Sequence, residues 1–308
     1  MTFSPPSVQQ PNGTVTSTPT VTSTPTVTSN GVPLPDGPGY LTPAPDSTGL
    51  RDNPAALRGR YERDGFVIVR GVLDPDDVWD LRGRYFALFD RDYLVAGSDP
   101  AEGRFSGRRP GGLPPHGVEG HPAYAFVRSA AFAHFVAQQP LAELAERLLD
   151  APVTMLPRAI MRHFDRAAPV ASRAHADFRY LDGGSDRVVT AWIPLGDAPL
   201  AAGGLVYQAG SQRADSERLA ALRRVSDRPG DTRPLSHDLG WVAEQLGQPW
   251  SWTDYRAGDV ALHSPHVVHA SLDTTTEAMR ASIDVRFLAQ GERTDPRWLK
   301  PWAGDDGN

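Results

Sequence analysis

The sequence predicts a mainly β fold, an antiparallel sandwich or barrel, with helices covering its N-terminal side and a loop- and helix-containing insertion near its mouth. Three observations lead there. From residue 152 onward the chain is written in short β runs (VTMLP, AIMRHF, RVVTAWIPL, GLVYQ, DVALH, VVHAS, RASIDVRF) separated by turn residues. Short strands at modest spacing with no helices between them belong to antiparallel sandwiches and barrels. Before residue 152 the signals are helical, and one long stretch, 212–256, interrupts the strand series with a partly helical (SERLAALRR) and partly polar sequence.

Taken in order, residues 1–49 stand apart. TVTSTP occurs at 14–19 and again at 20–25, TVTS follows, and Lys and Arg are absent. Such a Thr/Pro/Ser/Gly-rich stretch buries too little apolar surface to offset chain entropy, so a disordered tail is expected over 1–49 and a single domain over 50–303. Asn53-Pro54 is an N-cap followed by proline at the first helical position, opening a helix to about Asp64. FVIVR at 66–70 is a short strand. Asp74-Pro75-Asp76-Asp77 opens a second helix, with Val78, Leu81, Tyr85 and Leu88 as its apolar face. Residues 96–123 are Gly-, Pro- and Arg-rich and read as a long functional loop. Residues 126–149 read as helix, broken near Pro140.

Composition excludes several functions. The chain of 308 residues carries 31 basic and 37 acidic residues, a net charge of -6, which gives no electrostatic reason to expect nucleic acid or an anionic membrane as partner. With no cysteine, disulfides, thiolate nucleophiles and Cys-ligated metals are out, so a metal would need nitrogen and oxygen ligands. No apolar run reaches membrane-spanning length and the N-terminus lacks the signal-peptide pattern, so cytoplasm is the expected location. A monomer and a homodimer fit equally well.

The chemistry concentrates in RAHADFRY, residues 173–180. In a strand, residues i and i+2 share a face, so His175 and Asp177 would project together and chelate one ion while Ala176 points away. A third ligand is available in AGDVALHSPHVVHAS, which holds His263, His266 and His269. Alternation through VVHA puts His269 at a strand end, and the spacing to Arg280 favours it over the other two. Two histidines and a carboxylate form the facial triad of non-haem Fe(II) oxygenases, which leaves three positions open. A hairpin between the His269 strand and the next, MRASIDVRF, would return Arg280 to the metal, where a guanidinium could grip a carboxylate through two hydrogen bonds. Phe178, Arg179 and Tyr180 directly follow the ligand pair and, with Tyr207, are candidates to face a substrate. Arg104, Arg108 and Arg109 of the long loop are candidates to recognise an acidic group on it. His116, His121, His134, His163 and His237 show no metal spacing and read as surface or hydrogen-bonded histidines.

Together, YERDGFVIVRGVLD, AHADFRY, TAWIPLGDAPLAAGGLVYQAGSQ and GDVALHSPHVVHAS followed by MRASIDVRF resemble the phytanoyl-CoA dioxygenase-like branch of the Fe(II)/2-oxoglutarate-dependent oxygenases, over roughly residues 61–298. The resemblance implies a double-stranded β-helix, or jelly-roll. It implies iron on His175, Asp177 and His269, and 2-oxoglutarate held at its far carboxylate by Arg280 with Ser282 nearby; Ser271 and Trp192 match positions that often line the cosubstrate pocket. It further implies O2 as the second cosubstrate, release of succinate and CO2, and hydroxylation of a small organic molecule or natural-product intermediate. Two positions depart from the family pattern: Ala176 stands where Gln is frequent, and Gln212 where GSH is usual. Asp177 fills the position that related halogenases leave to a small residue, so halogenation is not expected. Desaturation and cyclisation use the same chemistry. The reading from another class is a non-catalytic jelly-roll that binds a metabolite.

Overall fold

The chain enters the fold well before residue 50. The computed structural model describes residues 26–167, 170–224 and 233–304, so most of the repeat tail, residues 1–25, lies outside the described residues. Residues 26–49, expected above to continue a disordered tail, are instead paired with the body of the protein. Strands β1 (Thr28–Ser29) and β2 (Val32–Pro33) form a tight hairpin. Asn30 and Gly31 make its turn with φ of 51° and 77°, the left-handed pair that a two-residue hairpin needs and that Asn-Gly supplies at low cost. The Asp273 carboxylate clasps that turn. It accepts the N–H of Asn30 (2.9 Å), the N–H of Gly31 (2.8 Å) and the hydroxyl of Thr28 (2.7 Å). Leu34 is buried just beyond, and β3 (Leu41–Pro43) joins a sheet edge. Composition reports how little apolar surface this arm carries; it does not register anchoring through a single distant carboxylate.

The helical part begins as its caps dictate. Helix α1 (Pro54–Asp64) starts with the Asn53 side chain accepting the Ala56 N–H and stops at left-handed Gly65, which turns the chain directly into β4 (Phe66–Val69). In α2 (Pro75–Phe86), Asp74 caps the first turn and Val78, Leu81 and Tyr85 are buried. Leu88 is 52% exposed, because the helix ends at Phe86; Phe86 and Phe89 fill the place assigned to it. The helix expected over 126–149 is two, α4 (Ala130–Val136) and α5 (Gln139–Leu149), and a shorter one, α3 (Pro122–Phe126), ends where it was expected to begin. Ser129 caps α4. Pro140 opens α5 rather than breaking it, since a first-turn residue has no intrahelical use for its N–H.

The strands follow: β5 (Val153–Met155), β6 (Ile160–Phe164), the one-turn helix α6 (Phe178–Leu181), β7 (Val188–Pro194), β8 (Leu205–Gln208), helices α7 (Ser216–Arg224) and α8 (Leu239–Leu246), β9 (Trp250–Trp252), β10 (Val260–His263), β11 (His269–Ser271) and β12 (Arg280–Ala289). β9 lies within the stretch 212–256, whose helical and polar sequence carries no strand signal. The major sheet runs β4-β10-β7-β12-β5, with β6 also on β12; the minor sheet runs β11-β8-β9-β3. Within these two sheets, β3 with β9 is the one parallel pair among the described residues. This is the double-stranded β-helix.

Period-two alternation sorts the major sheet into two faces. Val189, Ala191 and Ile193 of β7 and Ile283, Val285 and Phe287 of β12 face the helices, in one core with Leu57, Val78, Leu81 and Leu144. The opposite face turns Phe66, Ile68, Trp192 and Ala261 toward Leu205, Tyr207 and Tyr255. On β12 that inner face is Arg280, Ser282, Asp284 and Arg286, all lining one cavity. Each buried Ile or Val contributes about 1.5–3 kcal/mol, so a one-residue slip of β12, which would exchange its two faces, is strongly opposed.

Replacing Asp273 by Ala leaves three clasped donors without their acceptor. The expected outcome is a loss of roughly 1–3 kcal/mol of stability and native-state cleavage between residues 26 and 40, checked by thermal unfolding and limited proteolysis; Asp273→Asn should lie between the two.

Candidate metal centre and cosubstrate cavity

His175 and His269 meet through their backbones. Each N–H donates to the other's carbonyl, at 3.0 and 2.9 Å, an isolated antiparallel bridge on the edge of β11. The two rings stand 4.3 Å apart between centroids. Asp177 reaches the same point differently from the strand geometry expected. Its backbone is helical (φ -56°, ψ -30°) at the start of α6, and the Phe178 N–H bonded to the Pro265 carbonyl (2.7 Å) pins the turn. The chain leaves extended conformation between the two residues, yet the side chains converge. One ligand atom from each of His175, Asp177 and His269 lies within 4.8 Å of the others. Asp177 Oδ1 is 3.7 Å from Nε2 of each histidine.

The tautomers are fixed by the chain itself. His175 Nδ1–H donates to the Arg173 carbonyl (2.6 Å) and His269 Nδ1–H to the Val267 carbonyl (3.1 Å). A carbonyl only accepts, so the proton sits on Nδ1 and the Nε2 lone pairs face Asp177, the arrangement a metal-binding imidazole requires. Burial lowers the pKa of both rings, strongly for His269, where His175 and His263 add to it; Asp177 opposes the shift at each. Burial also works against the charge of Asp177, but Arg286 and His263 overcome it and hold the carboxyl well below the usual range. The site therefore presents two neutral imidazoles and one carboxylate. The outer oxygen, Oδ2, accepts from Thr190 Oγ1 (2.8 Å) and Arg286 Nη2 (3.0 Å).

These groups open on a cavity of 380 Å³ that also contains Arg280. Arg280 does not arrive by the hairpin expected from the sequence. β11 belongs to the minor sheet and β12 to the major one, so the chain crosses between sheets and Arg280 faces the histidines from the opposite wall. It is buried, 4.2 Å over the Phe164 ring, and Nη1 donates to Ser282 Oγ (2.9 Å). Its Nε and Nη2 have no hydrogen-bond partner, and burial lowers its pKa to about 9.

The other candidates divide. Trp192, Ser282 and Tyr180 line the cavity, Tyr180 with its ring edge against His175. Ser271 does not line it; its hydroxyl accepts the Ser172 N–H (2.7 Å) and so fixes the chain that leads to His175. Tyr207 lies behind the site, stacked on Phe66 with its hydroxyl 3.2 Å from His263 Nδ1. Phe178 packs on His266, and Arg179, on α6, is not part of the wall. Arg104 pairs with Glu277 (3.0 Å) and Arg109 with Asp165 (2.8 Å), while Arg108 is exposed; none of the three reaches the cavity. His266 faces Asp186 (3.1 Å), away from the centre.

Sequence reasoning missed Arg286, Thr190 and the real place of His263. A signal was present for the first: Arg280 and Arg286 are six apart on one strand and share a face, so accepting one as cavity-facing implied the other. Asn30 and Trp298, which also line the cavity, carried no such signal.

A second group, His116, His121 and His163, also places ring nitrogens within 4.8 Å of one another. It reads as a hydrogen-bond network. Tyr85 Oη lies 2.7 Å from His163 Nδ1 and Tyr93 Oη 2.8 Å from Nε2, while the Tyr93 hydroxyl donates to Asp165 (2.9 Å), so both nitrogens of His163 are taken. His121 Nδ1 accepts the Ala123 N–H (3.0 Å), which leaves its proton on Nε2 and no lone pair for a metal there.

A double-stranded β-helix that gathers two imidazoles and one carboxylate around a point has the architecture of the non-haem iron oxygenases. The sequence profile of the phytanoyl-CoA dioxygenase family (PhyH) matches residues 61–282, and the chain belongs to that family of Fe(II)- and 2-oxoglutarate-dependent enzymes. No curated protein matches the sequence. Among solved structures, the non-heme alpha ketoglutarate dependent epimerase SnoN from nogalamycin biosynthesis is similar with a TM-score of 0.55 and 22% identity, over 80% of this chain and 86% of that one. The carbocyclase SnoK from the same biosynthesis gives 0.53 and 20%, over 78% and 85%. EctD from S. alaskensis gives 0.55 and 19%, over 86% and 88%. These likenesses are of fold. No helix among the described residues is long and apolar enough to cross a membrane.

Burial holds His121 down to about 4 and His163 well below its ordinary value. Unfolded histidine titrates near 6.5, so below that pH the unfolded chain binds more protons than the folded one. Stability should be full above about pH 6.5 and fall progressively toward pH 4, read as urea midpoints across that range. His121→Asn keeps the capping acceptor, removes one ring and should flatten the slope.

Proposed function

We propose that the protein hydroxylates a small organic molecule, with His175, Asp177 and His269 holding Fe(II) and Arg280 holding 2-oxoglutarate. The observation that carries this reading is the convergence, in one cavity, of a two-imidazole, one-carboxylate donor set with a buried guanidinium whose Nε and Nη2 have no partner. The residues fit both groups. The donors are the nitrogen and oxygen types ferrous iron takes, in the protonation states it needs. The two idle donors of Arg280 match the two oxygens of a carboxylate.

When bound, iron supplies the position at which O2 is used to convert 2-oxoglutarate to succinate and CO2 and to oxidise a substrate C–H bond. The chain's own residues do the rest. Arg280 binds the cosubstrate's distal carboxylate, and Ser282 orients the guanidinium through Nη1. Trp192 walls the cavity against the minor sheet, packed on Tyr255. Tyr180 flanks His175 and lines the cavity, which supports a substrate-facing role for it. A cavity of 380 Å³ suits a small ligand rather than a polymer. Asp177 occupies the ligand position, which argues against halogenation. Because SnoN is an epimerase and SnoK a carbocyclase, product mass decides the outcome: one added oxygen supports hydroxylation, two lost hydrogens desaturation or ring closure, and no change epimerisation.

The test is succinate formation from 2-oxoglutarate with Fe(II) and ascorbate. Arg280→Gln is expected to raise the 2-oxoglutarate KM about thirtyfold or more, the cost of removing one partner of a buried charge pair, and Asp177→Ala to abolish turnover. A wild-type chain that binds neither Fe(II) nor 2-oxoglutarate anaerobically overturns the reading.

A further inference from the structure

Three side chains that are not among the proposed ligands converge on the outer oxygen of Asp177. They form one row across three neighbouring strands: Arg286 of β12 lies opposite Thr190 of β7, and Thr190 opposite His263 of β10. All three are buried. Thr190 Oγ1 donates to Oδ2 at 2.8 Å and Arg286 Nη2 at 3.0 Å, while His263 Nε2 stands 3.5 Å from the same atom. Oδ1 is left facing the two histidine Nε2 atoms. The Arg286 guanidinium sits 4.0 Å over the Trp298 ring, and the Trp298 indole N–H donates to the Tyr180 carbonyl (2.7 Å), which ties the stack to the short helix beginning at Asp177. Arg286 Nε and Nη1 have no hydrogen-bond partner.

Burying a guanidinium is costly unless an anion is held against it in a fixed place. We infer that Arg286, Thr190 and His263 form an anion cradle built into the sheet, whose resident is the outer oxygen of Asp177 and whose task is to keep that carboxylate a one-oxygen ligand. The inference rests on the iron reading above. A carboxylate free to swing can present both oxygens to a metal and take up a position that a bidentate cosubstrate needs. With Oδ2 held from behind, only Oδ1 is offered. Arg286 is therefore a positioning residue; it acts through Asp177.

A cradle of this kind must hold a small carboxylate even when the chain no longer supplies one, which a purely structural arginine would not do. Asp177→Gly removes the ligand and leaves the row facing open space. Purified variants are titrated anaerobically with Fe(II) and 2-oxoglutarate, following the visible charge-transfer band of the ferrous complex, with formate as the probe and neutral formamide as the control. Asp177→Gly is expected to form the complex about tenfold or more weakly than wild type. Formate, and not formamide, should restore it to within about threefold, and Asp177→Gly/Arg286→Gln should need about tenfold more formate. Thermal unfolding checks the double variant; if it is not folded, Asp177→Gly/Thr190→Val, which deletes one donor and keeps the shape, takes its place with the same expected direction. Rescue that is absent, or indifferent to the deleted donor, overturns the cradle alone. A wild-type chain that forms no ferrous 2-oxoglutarate complex overturns the iron reading and the cradle with it.

Discussion

A largely buried polar strand face is the constraint on which the rest of the structure depends. β12 is covered by helices on one side and by the minor sheet on the other, yet every second residue from Arg280 to Arg286 is polar or charged. Groups placed there must be satisfied by specific partners or the fold is penalised by several kcal/mol apiece. Two of the four are satisfied within the protein: Asp284 meets Arg162 (3.2 Å), and Ser282 accepts from Arg280. The two arginines keep idle donors. The apolar face of the same strand fixes the register that brings these groups to the cavity. Stability invested in Ile283, Val285 and Phe287 thus positions the chemistry on the other side.

The opposite wall is assembled by different means. The histidines are set by one isolated backbone bridge, and Asp177 by a turn into a single helical turn. Of the three residues, His269 alone stands in a regular strand, β11. The segment holding His175 is supported from β11, whose Ser271 hydroxyl takes the Ser172 N–H and whose Ser271 carbonyl takes the Ser29 hydroxyl (3.0 Å). The N-terminal hairpin, the loop before His175 and the strand of His269 are therefore one hydrogen-bonded unit. Rigid backbone on one wall and locally pinned backbone on the other together produce a site in which imidazoles, carboxylate and guanidinium are preorganised.

Much of this was legible in the sequence, and what was missed has physical reasons. The strand series, the capped helices and the ordered set His175, Asp177, His269 and Arg280 follow from alternation and motif order. The means by which they meet did not. A HxD spacing suits a strand, but Asp177 is helical, and two successive strands suggest a hairpin, but β11 and β12 part into different sheets. Both errors concern the path of the backbone; the side chains of His175, Asp177 and His269 converge all the same. Arg104 and Arg109 of the long loop pair with Glu277 and Asp165, partners distant in the sequence and invisible to composition. His263 competed for a ligand role on sequence alone; its burial beside Asp177 Oδ2 gives it another place.

The family match spans residues 61–282, and all four residues of the proposed iron and cosubstrate set fall inside it. Four residues of the cavity wall fall outside: Asp284 and Arg286 of β12, and two from beyond the β-helix. Asn30 comes from the N-terminal hairpin, where its side-chain Oδ1 accepts the Ala171 N–H (3.3 Å) at the cavity edge, and Trp298 comes from the far end of the chain, stacked beneath Arg286. A shared chemistry needs the inner set to be held in place, whereas a particular substrate needs only that the wall around it have a particular shape. Segments that lie outside the β-helix and are tied to it by a few hydrogen bonds can change that shape without disturbing the metal ligands. The arm clasped by Asp273 has both properties: it reaches the cavity edge at Asn30, and it is tied to the body by the Asp273 carboxylate and the Ser271 carbonyl.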